Sequence, residues 1–159
     1  MDDKVIKKSK SIYNSIAEYL DEINWEYDRN DNELCIHTGV GSNDLPINFF
    51  ISVLPKSEII LFYSYFPFKV PQAKYVDVAI AICAINDGLL YGNIDFDMEK
   101  GALSFRMTTC FSNSLISKSV FNQMMQIGIS TIDDYNDLIF DFVEGKMSLD
   151  NLLKAIVCD

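Results

Sequence analysis

Side chains that commonly take part in catalysis are few and scattered in this sequence. His37 is the single histidine among 159 residues, and it lies two positions after Cys35 in a segment that alternates like a β-strand. A Ser-His-Asp or Cys-His arrangement would need that imidazole as its base. One histidine and widely spaced cysteines also lack the spacing of a closed zinc site. The sequence therefore predicts no catalytic residues, no metal and no cofactor, and the protein is expected not to be an enzyme.

Two segments that look like ligand-binding loops fail on their spacing. Residues 95–101 are acidic and end in glycine, but a calcium loop needs glycine at its sixth position, which is Lys100 here. The twelfth position, where a bidentate glutamate belongs, is Arg106. Residues 39–41 contain two glycines, but they precede a strand and lack the third glycine of a dinucleotide-binding turn. Both segments are expected to be ordinary turns or loops.

The composition argues against several classes of partner. The net charge is −10, and such a polyanion repels the phosphate backbone of nucleic acids. The longest apolar run, near residues 78–85, is far shorter than the roughly 20 residues that cross a membrane, and no secretory leader pattern is present. Four cysteines without a C-x-x-C pair are typical of reduced thiols. We predict a cytoplasmic protein with no nucleic-acid or membrane partner.

The periodicity of the apolar residues predicts one domain, residues 1–159, of the α+β class. Consecutive strands with short turns between them indicate an antiparallel sheet. The helix at residues 75–85 is apolar on nearly every side, so we expect it to be buried between the sheet and either the last helix or a second subunit. The predicted elements are an amphipathic helix at residues 5–23, strands at 33–40, 45–54 and 59–66, this central helix, a β-hairpin at 92–97 and 102–107, one or two helices from about residue 115 to Gly145, and a short helix at 148–157.

Aromatic residues make up 13% of the chain, and several of them crowd the third predicted strand. Apolar residues occupy both faces of that strand, which is typical of a central strand covered on both sides. Phe62, Tyr63, Tyr65 and Phe66 are therefore candidate partner-binding residues, with core packing as the alternative for each of them. An exposed aromatic strip would mark a protein interface. The same two-sided strand favours a homodimer.

A stripe of carboxylates on the long C-terminal helix is the second candidate surface. Asp133, Asp137, Asp141 and Glu144 are spaced so that they share one face of a helix. Such a stripe is usually just solvated. It could instead dock lysines and arginines of a partner protein, or lie against the lysines at residues 4–10 of the first helix.

A set of local motifs extends over residues 5–145. They are Trp25 and Tyr27 before the first strands, Ala84-Ile85-Asn86 at a helix end, Gly92-x-Ile94-x-Phe96-Asp97 and Leu103-x-Phe105-Arg106 in the hairpin, and the long acidic helix that follows. Together they resemble the YbjN-like family of bacterial sensory transduction regulators, which has the type III secretion chaperone-like fold. The resemblance implies a small, acidic, non-enzymatic binding protein, often a dimer, and it supplies no catalytic residues.

Three hypotheses for function follow. The first is a chaperone-like or regulatory module that recognises a protein partner through sheet aromatics and acidic helix faces. The alternative is an immunity-type inhibitor that blocks a basic toxin by electrostatic complementarity. An enzyme would require a buried, strongly perturbed carboxylate, or His37 in a deep polar pocket.

Overall fold

Four α-helices and six β-strands form the described part of the chain, residues 2–41, 45–114 and 116–157, in a computed structural model. In chain order the elements are α1 (Asp3–Glu22), β1 (Tyr27–Asn30), β2 (Cys35–Val40), β3 (Ile47–Leu54), β4 (Ile59–Lys69), α2 (Tyr75–Gly88), β5 (Asn93–Asp97), β6 (Ala102–Cys110), α3 (Lys118–Val143) and α4 (Leu149–Val157). A short 3-10 turn, Gln72–Lys74, leads into α2. The predicted α+β class is confirmed.

The six strands form one antiparallel sheet in the order β1-β2-β3-β4-β6-β5. The chain leaves the sheet after β4, passes through α2, and returns as the hairpin β5–β6. Strand β6 pairs with β4, so β5 lies at the edge. The sequence predicts five of the six strands. It does not predict β1, because three of the four residues of β1 are exposed and show no apolar alternation.

Helices α1 and α3 pack against one face of the sheet, which we term the covered face. Alternate residues of the central strands are directed toward it and are buried. These residues are Ile47, Phe49, Ile51 and Val53 of β3, Ile60, Phe62, Ser64 and Phe66 of β4, and Leu103, Phe105 and Met107 of β6. Because side chains alternate along a strand, the same strands direct a second set of residues to the opposite side, the open face.

Helix α3 approaches the sheet closely at Gly128. A β-carbon at this position would lie 2.7 Å from Cε1 of Phe62, which is closer than carbon atoms pack. Glycine therefore allows the helix backbone to lie directly on the ring of Phe62. Nearer the N-terminus of α3, Tyr19 of α1 donates a hydrogen bond to Oδ1 of Asn122 at 2.6 Å. The contacts hold α1, α3 and the sheet in one packed arrangement.

Helix α2 lies beside β5 and packs against α4. Its buried side consists of Val78, Ala81, Ile82 and Ile85. On the other side, Val76 is 68% exposed, Ile80 is 45% exposed, and Cys83 is exposed as well. The expectation that this helix is buried on all sides therefore holds on one side only. The last helix, α4, covers the buried side of α2, and no described element covers the exposed side.

The junction between α2 and β5 is shaped by Asn86 and Gly92. The side-chain amide of Asn86 donates to the carbonyl oxygen of Ile94 at 3.0 Å, and its oxygen accepts from the N–H of Ile94 at 2.8 Å. Asn86 thus pairs backbone groups that an edge strand would leave free. Gly92 has a φ of 75°, and a β-carbon there would lie 2.6 Å from the ring of Phe105. This turn therefore requires glycine.

Candidate protein-binding site

The open face carries two adjacent rows of cross-strand partners that extend over β2, β3, β4 and β6. The rows are His37–Phe50–Tyr63–Arg106 and Cys35–Ser52–Leu61–Thr108. Antiparallel sheets commonly have one face packed on the core and one in water, with polar residues on the wet side. Here the wet side has aromatic and aliphatic residues at its centre, which is the first sign of a binding surface.

Aromatic rings of the open face contact one another in sequence across three strands. The imidazole of His37 stacks on Phe50, with ring centroids 4.8 Å apart and an interplanar angle of 25°. Tyr65 meets Tyr63 edge to face at 4.7 Å and Phe50 edge to face at 6.4 Å. Such edge-to-face pairs stabilise one another and fix the ring orientations. The rings therefore present a preformed surface to a ligand.

A shallow depression of about 440 Å³ lies among these rings. Its lining residues are Cys35, Phe50, Ser52, Leu61, Tyr63 and Tyr65. The hydroxyl of Ser52 donates to the sulfur of Cys35 at 3.3 Å, so the polar atoms of the floor pair with each other. Tyr65 is 55% exposed, whereas Phe50, Leu61 and Tyr63 are half-buried. The depression therefore offers apolar contact area with few unpaired polar groups.

Tyr63 lies at the centre of the face and has a perturbed phenol. Burial raises the pKa of Tyr63 above its ordinary value, and a hydrogen bond with Ser104 opposes that rise in part. The phenol is therefore protonated at neutral pH. It remains a hydrogen-bond donor and carries no charge that would oppose the burial of the face under an apolar ligand.

An ion pair marks the β5 side of the open face. Arg106 donates from Nε to Asp95 Oδ2 at 2.7 Å and from a terminal nitrogen to Asp95 Oδ1 at 3.3 Å. This contact raises the pKa of Arg106. Asn93 also donates to Asp95, at 2.5 Å. The aromatic centre thus has a polar margin, which is the usual anatomy of a protein interface.

The four aromatic candidates from the sequence are divided between the two faces of β4. Tyr63 and Tyr65 lie on the open face. Phe62 is fully buried and Phe66 is 5% exposed, so both belong to the core beneath α3 and cannot contact a partner in this structure. The reason is the two-residue alternation of a strand, which directs residues 62 and 66 to the covered face and residues 63 and 65 to the open one.

Three of the four acidic candidates lie on α3 and Glu144 caps its C-terminal end, across the sheet from Tyr63 and Tyr65. Asp133 and Glu144 are exposed, and Asp137 and Asp141 are half-buried. Lys146 makes an ion pair with Asp141 at 2.7 Å, and this contact raises the pKa of Lys146. The chain thus neutralises part of the stripe itself. The acidic and aromatic candidates cannot form a single site, because the sheet separates them.

Lys8, one of the N-terminal lysines, makes its contacts away from this acidic stripe. Lys8 donates to the carbonyl oxygens of Phe111 and Ser112 at the end of β6. This lysine is therefore attached to the segment that follows β6 and not to the acids of α3. The ion pair that joins the first and third helices is made instead by Glu22 and Lys118 at 2.5 Å.

Phe50 and Leu61 are apolar residues of the site that the sequence analysis did not select as candidates. Both lie in the lining of the depression, on strands that the sequence predicts correctly. The signal was present in β3, where Ile47, Phe49 and Ile51 alternate on one side and Phe50 falls on the other. Only the pairing of Phe50 with Tyr63 shows that the two aromatic residues meet.

The described residues give no separate indication of a metal site or a membrane span. Within residues 2–41, 45–114 and 116–157, no group of three His, Cys, Asp or Glu side chains is placed to hold a metal ion. None of the helices in these ranges is both long and apolar enough to cross a bilayer. His37, the one histidine, lies in the aromatic network, stacked on Phe50.

Comparison with protein-family models identifies the family of the chain. The sequence model of the YbjN family, described as "putative bacterial sensory transduction regulator", matches residues 13–141. The chain belongs to the YbjN family. Among curated proteins, none matches the sequence.

Solved structures agree with the YbjN assignment at the level of the fold. The crystal structure of YbjN from E. coli, described as "a putative transcription regulator", superposes with a TM-score of 0.56 at 16% identity, over 76% of this chain and 84% of that one. A chain of the HopA1–SchA chaperone–effector complex superposes with a TM-score of 0.59 at 10% identity, over 81% of this chain and 96% of that one. A chain of the ExsC–ExsE complex superposes with a TM-score of 0.55 at 10% identity, over 82% of this chain and 94% of that one. The fold is that of type III secretion chaperones.

The motifs that carry the YbjN resemblance have structural roles in this chain. Asn86 pairs the backbone of Ile94, and Gly92 makes the turn before β5. The indole of Trp25 donates to Thr38 at 2.6 Å, and the Thr38 hydroxyl donates to the backbone of Glu26, which together attach the chain before β1 to β2. These YbjN-type residues therefore build the sheet and its edges.

Proposed function

We propose that the protein is a non-enzymatic binding module, chaperone-like or regulatory, that holds an apolar segment of a partner protein on the open face of its sheet. The observation that carries the proposal is the continuous aromatic surface formed by His37, Phe50, Tyr63 and Tyr65 on a face that no described helix covers. The fold shared with chains from chaperone–effector complexes supports the same role.

The chemistry of the open face specifies the kind of segment it fits. Tyrosine rings provide a large contact area with little loss of side-chain freedom, and they are enriched among residues that dominate binding energy. The depression is too shallow to enclose a small molecule but can seat one or two side chains. A segment with apolar side chains at its centre and polar groups opposite Arg106 and Asp95 matches the surface.

Affinity capture from the native cell, quantified by mass spectrometry, tests this proposal. The wild-type chain is compared with a double variant, Tyr63→Ser and Tyr65→Ser. We expect a stoichiometric partner with the wild type and a loss of at least about tenfold in recovery with the double variant, since each central aromatic commonly contributes more than about 1 kcal/mol. Equal recovery with both proteins would contradict the proposal.

A matched control distinguishes binding at the open face from binding to any exposed apolar side chain. Met98 is 52% exposed, close to the 55% of Tyr65, but lies at the tip of the β5–β6 hairpin. Met98→Ser should leave recovery unchanged. Far-ultraviolet circular dichroism of all variants verifies that the sheet is intact.

The acidic stripe of α3 supports the alternative role, an inhibitor of a basic toxin. Asp133 and Glu144 project into solvent on a chain of net charge −10. A complex formed through this stripe would associate faster at low ionic strength and would weaken as salt is added. Recovery that depends on Asp133 and Glu144, and not on Tyr63 and Tyr65, would favour the inhibitor over the aromatic module.

We also propose a homodimer, formed by the exposed stripe of Val76, Ile80 and Cys83 on α2. Two copies repel each other because each carries −10, so self-association is easiest through a stripe that carries no charge. Light scattering at tens of micromolar should give twice the monomer mass, and Ile80→Lys should give a monomer. A wild-type monomer at that concentration would refute the dimer. The exposed, unpaired Cys83 is compatible with the reducing cytoplasm, where we expect the protein to act.

A further inference from the structure

Strand β6 extends beyond its neighbour β5 by four residues. Strand β5 begins at Asn93, which pairs with Arg106, while β6 continues to Cys110. The turn at Gly92 directs the chain away before the pairing can continue, since its φ is 75° and its backbone lies against the ring of Phe105. Residues 107–110 thus pair with β4 on one side only, and we term their other side the β6 notch.

The hydrogen bonds of the sheet show which backbone groups face the β6 notch. The N–H of Phe111 donates to the carbonyl oxygen of Glu58 at 2.8 Å, in register with the β4–β6 pairs. Successive residues of a strand direct their N–H and C=O groups to alternate sides. Met107 and Thr109 therefore bond to β4, and Thr108 and Cys110 face the notch.

The groups of Thr108 remain available in the described chain. No backbone hydrogen bond outside the sheet pairs reaches Thr108 in residues 2–41, 45–114 and 116–157. The carbonyl of Cys110 accepts from the hydroxyl of Ser114 at 3.3 Å, but its N–H has no such partner. An exposed strand edge of this kind is a template for another strand.

The contrast with β5 shows that this chain blocks an edge elsewhere. The outward N–H and C=O of Ile94 are both taken by the side chain of Asn86. Among the residues that the structure describes, no side chain does this for Thr108. Native proteins usually protect edges that have no partner, so an unprotected edge beside a protected one indicates a binding function.

A groove of about 330 Å³ adjoins the β6 notch. Besides β6, it is lined by Leu90, Tyr91 and Gly92 before β5 and by Val120, Gln123, Met124 and Ile127 of α3. Leu90 is 92% exposed, Tyr91 is 55% exposed and Val120 is 39% exposed. All the lining residues are uncharged, in a chain whose net charge is −10. The groove therefore suits apolar side chains and has no charge to attract a basic segment.

We propose that the β6 notch receives a short extended segment of a partner protein as an added strand. The segment pairs with Thr108 and Cys110, is uncharged, and alternates so that the side chains opposite Met107 and Thr109 enter the groove against α3. This mode, in which the main chain gives affinity and alternate side chains give specificity, is β-augmentation. The inference rests on the proposed role in protein binding, but it uses the backbone edge of β6 and not the aromatic side chains of the open face.

A synthetic hexapeptide of alternating threonine and valine, with blocked ends, is the probe. Binding is followed by the amide chemical shifts of the full chain. At roughly 1 mM peptide, where a millimolar complex is half formed, the amides of Thr108 and Cys110 should shift. A peptide N-methylated at alternate amides cannot pair with the edge, and it should bind at least about tenfold more weakly because two or more hydrogen bonds are lost.

Variants locate the contact. Thr108→Pro removes the N–H that faces the notch and should weaken peptide binding at least about tenfold. Thr108→Val keeps this N–H and should leave peptide binding unchanged. Tyr65→Ser, on the open face, should leave peptide binding unchanged. Loss of peptide binding with Tyr65→Ser, or shifts at Phe50 and Tyr63 in place of Thr108, would assign the peptide to the open face and overturn this inference alone.

Three further results would overturn the inference. One is equal binding of the N-methylated peptide, and another is no shift at the highest peptide concentration. The third is movement of the Thr108 and Cys110 amides with protein concentration in the absence of peptide, which would make the notch an interface between two copies of this chain. None of these results bears on capture by Tyr63 and Tyr65, so the two proposals can fail separately.

Discussion

The two faces of the sheet are built from the same strands and differ in what covers them. Phe62 and Tyr63 are neighbours in sequence, yet one is fully buried beneath α3 and the other is half-buried in an open aromatic surface. Burial of an aromatic ring stabilises the fold only where other side chains surround it. The covered face thus stabilises the protein, and the apolar surface of the open face remains available to a partner.

The largest expected effect comes from truncation on the covered face. Phe62→Ala should lower the free energy of unfolding by about 3–5 kcal/mol, because a fully buried ring is replaced by a cavity next to Phe49. Leu61→Ala, one position away on the open face, should cost about 1 kcal/mol, since its side chain keeps much of its contact with water. Urea unfolding followed by circular dichroism measures both.

Similar losses in the free energy of unfolding for Phe62→Ala and Leu61→Ala would contradict the difference between the two faces. They would show that the open face is covered in solution. A dependence of the Leu61→Ala result on protein concentration would then identify the cover as a second copy.

A second prediction concerns the contact that fixes α3 on the covered face. Gly128→Ala inserts a β-carbon 2.7 Å from the ring of Phe62. Overpacking of this kind costs about 1–3 kcal/mol, whereas the gain in helix propensity is about 1 kcal/mol. We expect a net loss of about 1 kcal/mol in the urea unfolding experiment.

Gly88 at the end of α2 is the matched control, because a β-carbon there meets no atom within 4 Å. Gly88→Ala should therefore stabilise the protein by roughly 0.5–1 kcal/mol. If Gly128→Ala also stabilised it, the close approach of α3 to the sheet would not be a constraint on the fold.

The smallest effect is expected from the phenol of Tyr63. Burial raises its pKa above the ordinary 10.0, so the folded state holds this proton more tightly than the unfolded state. The resulting stability is present below pH 10.0 and is lost as the pH rises through the folded value. Tyr63→Phe should reduce the decline of stability above pH 10.0.

Ultraviolet titration of the tyrosines measures the same difference directly. Burial also raises the pKa of Tyr13 and Tyr27, so the phenols of Tyr13, Tyr27 and Tyr63 should titrate late in the wild type, and Tyr63→Phe should remove one of these late titrations. Binding of a partner on the open face should raise the pKa of Tyr63 further, because water is then excluded from it. An unchanged titration curve on complex formation would argue against contact with Tyr63.

Local patterns predicted most of the elements of this fold. The apolar spacing of α1 and α3 and the alternation of β3 and β6 are properties of consecutive residues, so they can be read without the tertiary structure. Strand β1 could not be predicted from the sequence, since three of its four residues are exposed and its position is set by pairing with β2. The half-exposed state of α2 was equally inaccessible, because it depends on which side α4 covers.

The candidate site was predicted in composition but not in geometry. The sequence indicated aromatic residues on both faces of β4, and an acidic stripe on the helix after the hairpin. It could not say that α1 and α3 both pack on the side of Phe62 and Phe66, which makes the opposite side the surface. Nor could it bring Phe50 to Tyr63, since that contact joins two strands through their register.

The sequence by itself determined the class of the fold and its family. These depend on local periodicity and on which side chains are present. The tertiary structure decided which aromatic residues are open, how the sheet separates them from the acids of α3, and where β6 lacks a neighbour. Those features arise from contacts between residues far apart in the chain, which no local pattern specifies.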